Sequence, residues 1–143
     1  GEVGDKLREL GNEYGATTGR PRRCGWLDLP SLRYSLQVGG VNSIALTKID
    51  VLDGMDEIKI CTHYEHNGKK YDTLPTADAA FMAEAKAIYE TMPKWDGATF
   101  GIKDFADFPP EAQDYVKYIE DAVGVPVEII SNGPAREEVF YRV

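Results

Sequence analysis

Three short stretches of this sequence carry residue types suited to gripping a polar ligand. The first, Gly15-Ala16-Thr17-Thr18-Gly19-Arg20-Pro21-Arg22-Arg23, combines glycines, two hydroxyls and three guanidinium groups with no acid among them. Glycine lets backbone N–H groups approach an anion closely, threonine adds a short hydrogen bond, and arginine meets a carboxylate or phosphate with two parallel donors. A small anionic ligand would suit this loop. The same residues also make a plain surface loop whose arginines pair with acids elsewhere.

The second stretch is Thr47-Lys48-Ile49-Asp50. It closes an apolar run, Ser43 to Lys48, that reads as a short and largely buried strand. Strand ends in open α/β sheets are where ligands dock. Lys48 and Asp50, two positions apart, fall on one side of an extended segment. An ionised carboxylate only accepts, so Asp50 fits the N1–H and 2-amino donors of guanine, with the Lys48 stem lying over the base. A solvated ion pair at a strand end is the alternative. The third stretch, Ser131-Asn132-Gly133-Pro134, again follows an apolar strand and by itself reads equally as a turn. Two strand exits with nucleotide-type chemistry strengthen each other.

The elements that would position these stretches are α and β in alternation. Asp28 is placed to cap a helix running to about Val38, with Pro30 in its first turn, Leu32, Leu36 and Val38 inward, and Gly39-Gly40 stopping it. Glu57 to Tyr64 alternates, and Asn67-Gly68 turns the chain into a return strand, Lys69 to Thr73, as a hairpin. Asp78 to Glu90 begins as helix on its alanines. Glu111 to Val123 is a clear helix with Ala112, Tyr115, Val116, Ile119, Ala122 and Val123 on one face; Gly124 ends it, and Val125 to Ile130 is a strand. Val139 to Tyr141 makes a last strand. The expected fold class is α/β: a mixed sheet with flanking helices and an antiparallel hairpin.

Other polar groups read as structural. His63 and His66 face opposite sides of a strand and have no supporting Cys or further His, so both are expected as exposed hairpin residues rather than metal ligands. The acids of the C-terminal helix are expected as a solvated face, and Tyr89, Trp95, Phe100 and Phe105 as core or loop anchors.

Composition limits the partners. The 143 residues, 43% hydrophobic and 28% charged, suit one globular domain or part of one. The net charge is −8, and Asp104 to Val143 alone holds nine acids against Lys117, Arg136 and Arg142. Nucleic acid and anionic membrane would be repelled over most of such a surface. No apolar run approaches the roughly 20 residues of a membrane helix, and no signal-peptide pattern is present. Cys24 and Cys61 form no CxxC pair, which favours reduced thiols and a cytoplasmic location. The opening at Gly1, without an initiator Met, reads as a piece of something longer.

Taken together, Gly11 to Asp28 (GNEYGATTGRPRRCGWLD) resembles the signature loop of the adenylosuccinate synthetase family. Ala45 to Gly54 (ALTKIDVLDG) is similar to its guanine-recognition segment, and Tyr89-Glu90-Thr91-Met92-Pro93, Gly124-Val125-Pro126 and Ser131 to Pro134 follow in the family order. The resemblance covers essentially the whole chain and implies the C-terminal portion of that fold, residues 1–143, with a substrate loop at 11–28 and guanine-binding segments at 47–50 and 131–134. It implies a GTP-dependent ligase in which GTP phosphorylates the 6-oxygen of IMP and the amino group of L-aspartate displaces that phosphate, with Mg²⁺ assisting. Ala16, Thr17, Thr18, Gly19, Arg20, Pro21 and Arg22 would then hold aspartate and reach IMP. Arg22, Lys48, Ile49, Asp50, Ser131, Asn132 and Gly133 would bind GTP. The complete enzyme would be a homodimer.

No residues here match the family's phosphate-binding glycine loop, its catalytic Asp and His, or most of its Mg²⁺ and IMP contacts, and no GxxxxGK[ST] occurs. The expectation is therefore a segment with no catalytic residue and no metal ligand of its own, inactive in isolation. Two other readings compete: a non-catalytic guanine-nucleotide or anion-binding module that shares these loops, and a folding or dimerisation unit with no ligand.

Overall fold

A computed structural model of the chain describes residues 26–76 and 78–142. The order is β1 (Leu27–Asp28), α1 (Leu29–Gly39), β2 (Ile44–Leu46), a 3-10 turn at Ile49–Leu52, β3 (Ile58–His66) and β4 (Lys69–Tyr71). There follow α2 (Ala79–Glu84), β5 (Lys86–Met92), a second 3-10 turn at Phe105–Asp107, α3 (Pro110–Val123), β6 (Val127–Ser131) and β7 (Val139–Tyr141). The expected α/β class, with mixed sheets, flanking helices and an antiparallel hairpin, is what forms.

Local chemistry explains most boundaries. The Asp28 carboxylate accepts from the Ser31 backbone N–H at 3.0 Å and so starts α1, which Gly40 ends in the left-handed conformation at φ 64°. Asn67 (φ 52°) and Gly68 (φ 79°) both adopt positive φ, the requirement of the two-residue turn between β3 and β4. Gly124 (φ 77°) closes α3, whose Ala112, Tyr115, Val116 and Ile119 are buried.

Two sheets share the core. In one, β3 pairs antiparallel with β5 along one edge, while β1 (parallel) and β4 (antiparallel) share the other. In the second, β6 lies between β2, parallel to it, and β7, antiparallel. One large apolar cluster runs from Leu27 through Ile60, Trp95, Tyr115 and Ile130 to Phe140. A smaller one gathers Cys61, Tyr64, Leu74, Phe81, Met82 and Ala85.

Several expectations are corrected. The helix expected to begin at Asp78 forms over Ala79–Glu84, but the rest of the stretch to Glu90 lies in a strand, Lys86–Met92, because Ile58–Glu65 offers it an antiparallel ladder that outweighs local propensity. Val38 is 70% exposed, since α1 has turned away from the core by its last turn. Ala45 is exposed although Ile44 and Leu46 are buried, because β2 is an edge strand whose second face no described residue covers. His66 is half-buried rather than a free hairpin residue: its ring lies 5.0 Å from that of Phe81, and Nε2 meets Glu84 Oε1 at 2.9 Å. Glu120, expected on a solvated helix face, is held between Arg142 and the Val127 N–H.

Candidate functional site at two parallel strand exits

The parallel register of β2 and β6 fixes the site. Leu46 lies beside Ile130, so Thr47–Asp50 and Asn132–Pro134 leave the sheet at the same end from neighbouring strands; Ser131, expected in the turn, is instead the last residue of β6, paired with Val139. Strands in a ladder are about 4.8 Å apart, so the two exits are adjacent by construction. The Glu138 carboxylate, carried by the loop that follows β6, is near enough to bias the ionisation of Asp50.

The first exit is not extended. Lys48 adopts a left-handed backbone, φ 59° and ψ 37°, and starts the 3-10 turn that contains Asp50. This corrects the expectation that Lys48 and Asp50 share one side of a strand. Left-handed geometry in a residue other than glycine is uncommon and is over-represented where chains build ligand sites. Ile49 is fully buried, so only its backbone faces the exit. Asp50 is half-buried, and its Oδ1 is shielded from solvent with no hydrogen-bond partner. Burial raises the Asp50 pKa above 3.8, and the charges of Asp53 and Glu138 add to the rise, against its own backbone N–H and Lys48. A buried carboxylate oxygen without a donor is costly, and a ligand bearing N–H groups would relieve it.

The second exit is rigid. Asn132 is fully buried; its Nδ2 donates to the carbonyls of Thr99 (2.6 Å) and Ile102 (2.7 Å), which commits the amide nitrogen to the neighbouring loop, while its Oδ1 has no hydrogen-bond partner. Gly133 sits under the Glu138 carboxylate, where an added Cβ would fall 2.1 Å from Glu138 Oε2. Glu138 Oε1 also accepts from the Ala135 N–H at 3.0 Å.

Sequence reasoning missed the part between the exits. Asp53, three residues after Asp50, accepts from Trp95 Nε1 (2.8 Å) and Thr99 Oγ1 (2.9 Å) on Oδ1, and from the N–H groups of Thr99 (2.8 Å) and Phe100 (3.0 Å) on Oδ2. The available signal was its spacing: in a 3-10 turn, positions i and i+3 lie on one side. Glu138 gave no comparable signal.

The loop expected to hold aspartate, Ala16 to Arg22, lies outside the described residues. The described end of 11–28 is structural: Asp28 caps α1 and accepts from the Tyr64 hydroxyl. A cavity of about 430 Å³ lies beside Trp26, Val51, Met55 and the acids Asp53, Asp56 and Glu57, but neither Asp50 nor Ser131–Gly133 lines it. Its acids do not suit a phosphate. Among the described residues, no three His, Cys, Asp or Glu side chains are grouped to hold a metal. No described helix is long and apolar enough to cross a membrane.

The adenylosuccinate synthetase family model matches residues 1–140. The chain belongs to the adenylosuccinate synthetase family. It is 51% identical to the adenylosuccinate synthetase of Aquifex aeolicus over 141 residues, covering 99% of this chain and 32% of that protein. To the Bifidobacterium adolescentis enzyme it is 50% identical over 140 residues, 98% of this chain and 32% of the relative. The structure of a fully ligated adenylosuccinate synthetase from Plasmodium falciparum superimposes with a TM-score of 0.81 at 34% identity, covering all of this chain and 34% of the other. The chain thus spans about a third of the length of the synthetases it matches.

Proposed function

We propose that the chain is the C-terminal region of a cytoplasmic, homodimeric GTP-dependent ligase that joins IMP and L-aspartate into adenylosuccinate for AMP synthesis. Within it, Lys48, Ile49 and Asp50 with Ser131, Asn132 and Gly133 frame the guanine of GTP. Ala16 to Arg22 bind aspartate and reach IMP, with Arg22 also facing GTP. The observation that carries the guanine assignment is the shared exit of β2 and β6, with the unsatisfied Oδ1 of Asp50 beside it.

The chemistry is consistent at each group. Guanine presents two adjacent donors, N1–H and the 2-amino group, and a carboxylate accepts both. Pairing them with Asp50 gives its buried, unpaired Oδ1 a donor and adds charge-assisted hydrogen bonds. Ile49 can contribute backbone only, because its side chain is committed to the core, whereas Asn132 has its amide nitrogen committed to the Thr99 loop and keeps a buried, unpaired Oδ1. Aspartate brings two carboxylates, which a loop of arginines, hydroxyls and amides complements. Mg²⁺ and the acid–base groups belong to the remainder of the ligase.

The test is turnover. The complete polypeptide carrying this segment should form adenylosuccinate from IMP, aspartate and GTP, and the 143-residue chain alone should form none. Product from the chain alone would overturn the assignment of catalysis to other residues. Absence of product from the complete polypeptide would favour a nucleotide-binding module instead.

A further inference from the structure

Asp50 and Asp53 belong to the same turn but have opposite hydrogen-bonding states. An ionised carboxylate offers about four acceptor positions. Those of Asp53 receive four donors, from Trp95, Thr99 twice and Phe100, all at 2.8–3.0 Å. Asp50 Oδ1 receives none. Asp53 therefore has no capacity left for a ligand, and its bonds all run to one loop.

That loop is gripped from the other side as well. Asn132 donates to the carbonyls of Thr99 and Ile102, and the Gly101 N–H approaches the Asn132 carbonyl at 3.4 Å. Thr99 is fully buried and has its N–H and hydroxyl on Asp53 and its carbonyl on Asn132. Trp95, 3% exposed, anchors the start of the loop edge-on against Tyr115, with ring centroids 5.8 Å apart. The Asp53 N–H closes the turn on the Asp50 carbonyl at 3.0 Å. An unbroken path of hydrogen bonds thus links the backbone of Asp50 to that of Asn132 through Asp53 and Thr99.

We propose that Asp53 is a positioning residue for purine recognition: through the Trp95–Ile102 brace it sets the spacing between the Asp50 carboxylate and the Ser131–Gly133 backbone. The inference rests on the guanine assignment above. β2 and β6 fix where the two exits begin but not how the loops beyond them are held. The brace supplies that second constraint, and a slot held at both edges discriminates between bases better than one held at a single edge. Asp53 touches the brace, not the base.

The experiment measures GDP and IDP binding to the complete ligase by calorimetry, IDP lacking the 2-amino group, alongside the unfolding midpoint. Asp53→Asn keeps the shape but turns an amino group toward two of the four donors. It should lower the preference for GDP over IDP by about tenfold, the scale of one lost charge-assisted hydrogen bond, with IDP affinity changing much less. Thr99→Val, which removes only the hydroxyl bond, should lower the preference by a smaller factor, and Thr99→Ser should restore it. A purely structural Asp53 would shift the unfolding midpoint and leave the GDP-to-IDP ratio of the folded protein unchanged, which overturns the proposal. If Asp53→Asn does not fold, an unchanged ratio in Thr99→Val overturns it equally. Asp50→Asn separates the two levels: a ratio lost there but kept in Asp53→Asn rejects the brace alone, whereas a ratio kept in Asp50→Asn rejects the guanine assignment itself.

Discussion

The side-chain amide of Asn132 donates to the carbonyl oxygen of Thr99 at 2.6 Å, tying the exit of β6 to a loop more than thirty residues earlier. The same amide nitrogen reaches the Ile102 carbonyl, so both of its protons are used. Asn132→Asp keeps the volume, removes both donors and sets a carboxylate against two carbonyls. It should cost about 3 kcal/mol of stability, more than Asn132→Ala, which leaves the Ile102 carbonyl unpaired, the Thr99 carbonyl keeping the Ile102 N–H, and adds no charge. Urea unfolding of the two variants checks the order.

Asp50 gives a pH dependence whose sign can be worked out. Its folded pKa lies above the ordinary 3.8 because of burial, with Asp53 and Glu138 adding to the effect. Between 3.8 and the raised value, the folded chain holds more protons than the unfolded chain, so stability falls as pH rises through that window. Above it the penalty is constant. Asp50→Asn should therefore be more stable than the parent at pH 7, with the advantage shrinking on acidification and gone below the ordinary value. Denaturation midpoints from pH 3 to pH 7 check this, and equal midpoints at neutral pH would contradict it.

Gly133 is required by a neighbour, not by its backbone. A Cβ there would fall 2.1 Å from Glu138 Oε2 and 2.8 Å from Oε1. Gly133→Ala should push the Glu138 side chain aside and release the Ala135 N–H, at a cost of about 1 kcal/mol. Because the colliding group is the end of a flexible side chain, the cost should be non-additive. Gly133→Ala combined with Glu138→Ala should lose less than the two changes summed.

Arg142 fastens the last strand. Its guanidinium meets the Glu120 carboxylate and stacks over the Phe105 ring at 4.2 Å, while Glu120 also accepts from the Val127 N–H at 2.7 Å. The two side chains are only 15% and 17% exposed. Removing one partner leaves a poorly solvated charge, so Arg142→Ala should destabilise by about 3 kcal/mol, and Arg142→Ala with Glu120→Gln by less than the sum of the single changes. A double-mutant cycle measures the coupling.

Elements whose signals are local were legible in the sequence. Asp28 as a cap, Asn67-Gly68 as a hairpin turn, Gly124 as a helix stop and the inward face of α3 each depend on residues within a few positions. The strand at Lys86–Met92 was not legible, because its partner Ile58–Glu65 lies more than twenty residues away and the local composition favours helix. At the candidate site, the types at 47–50 and 131–134 pointed to the two exits. The parallel pairing of Leu46 with Ile130, which makes them neighbours, is a tertiary fact. The left-handed Lys48 was hidden as well, since lysine carries no signal for positive φ. Asp53 escaped notice because its four donors come from a loop forty and more residues away.

Base preference in the Asp50→Asn ligase tests the central claim most directly. Xanthine carries a carbonyl where guanine carries its 2-amino group, so a carboxamide at position 50 can accept from N1–H and donate to that carbonyl. Steady-state turnover with GTP and with xanthosine triphosphate should move in opposite directions. GTP use should weaken by about 30-fold or more, and xanthosine triphosphate use should improve. An unchanged preference for GTP would contradict the placement of guanine between the two strand exits.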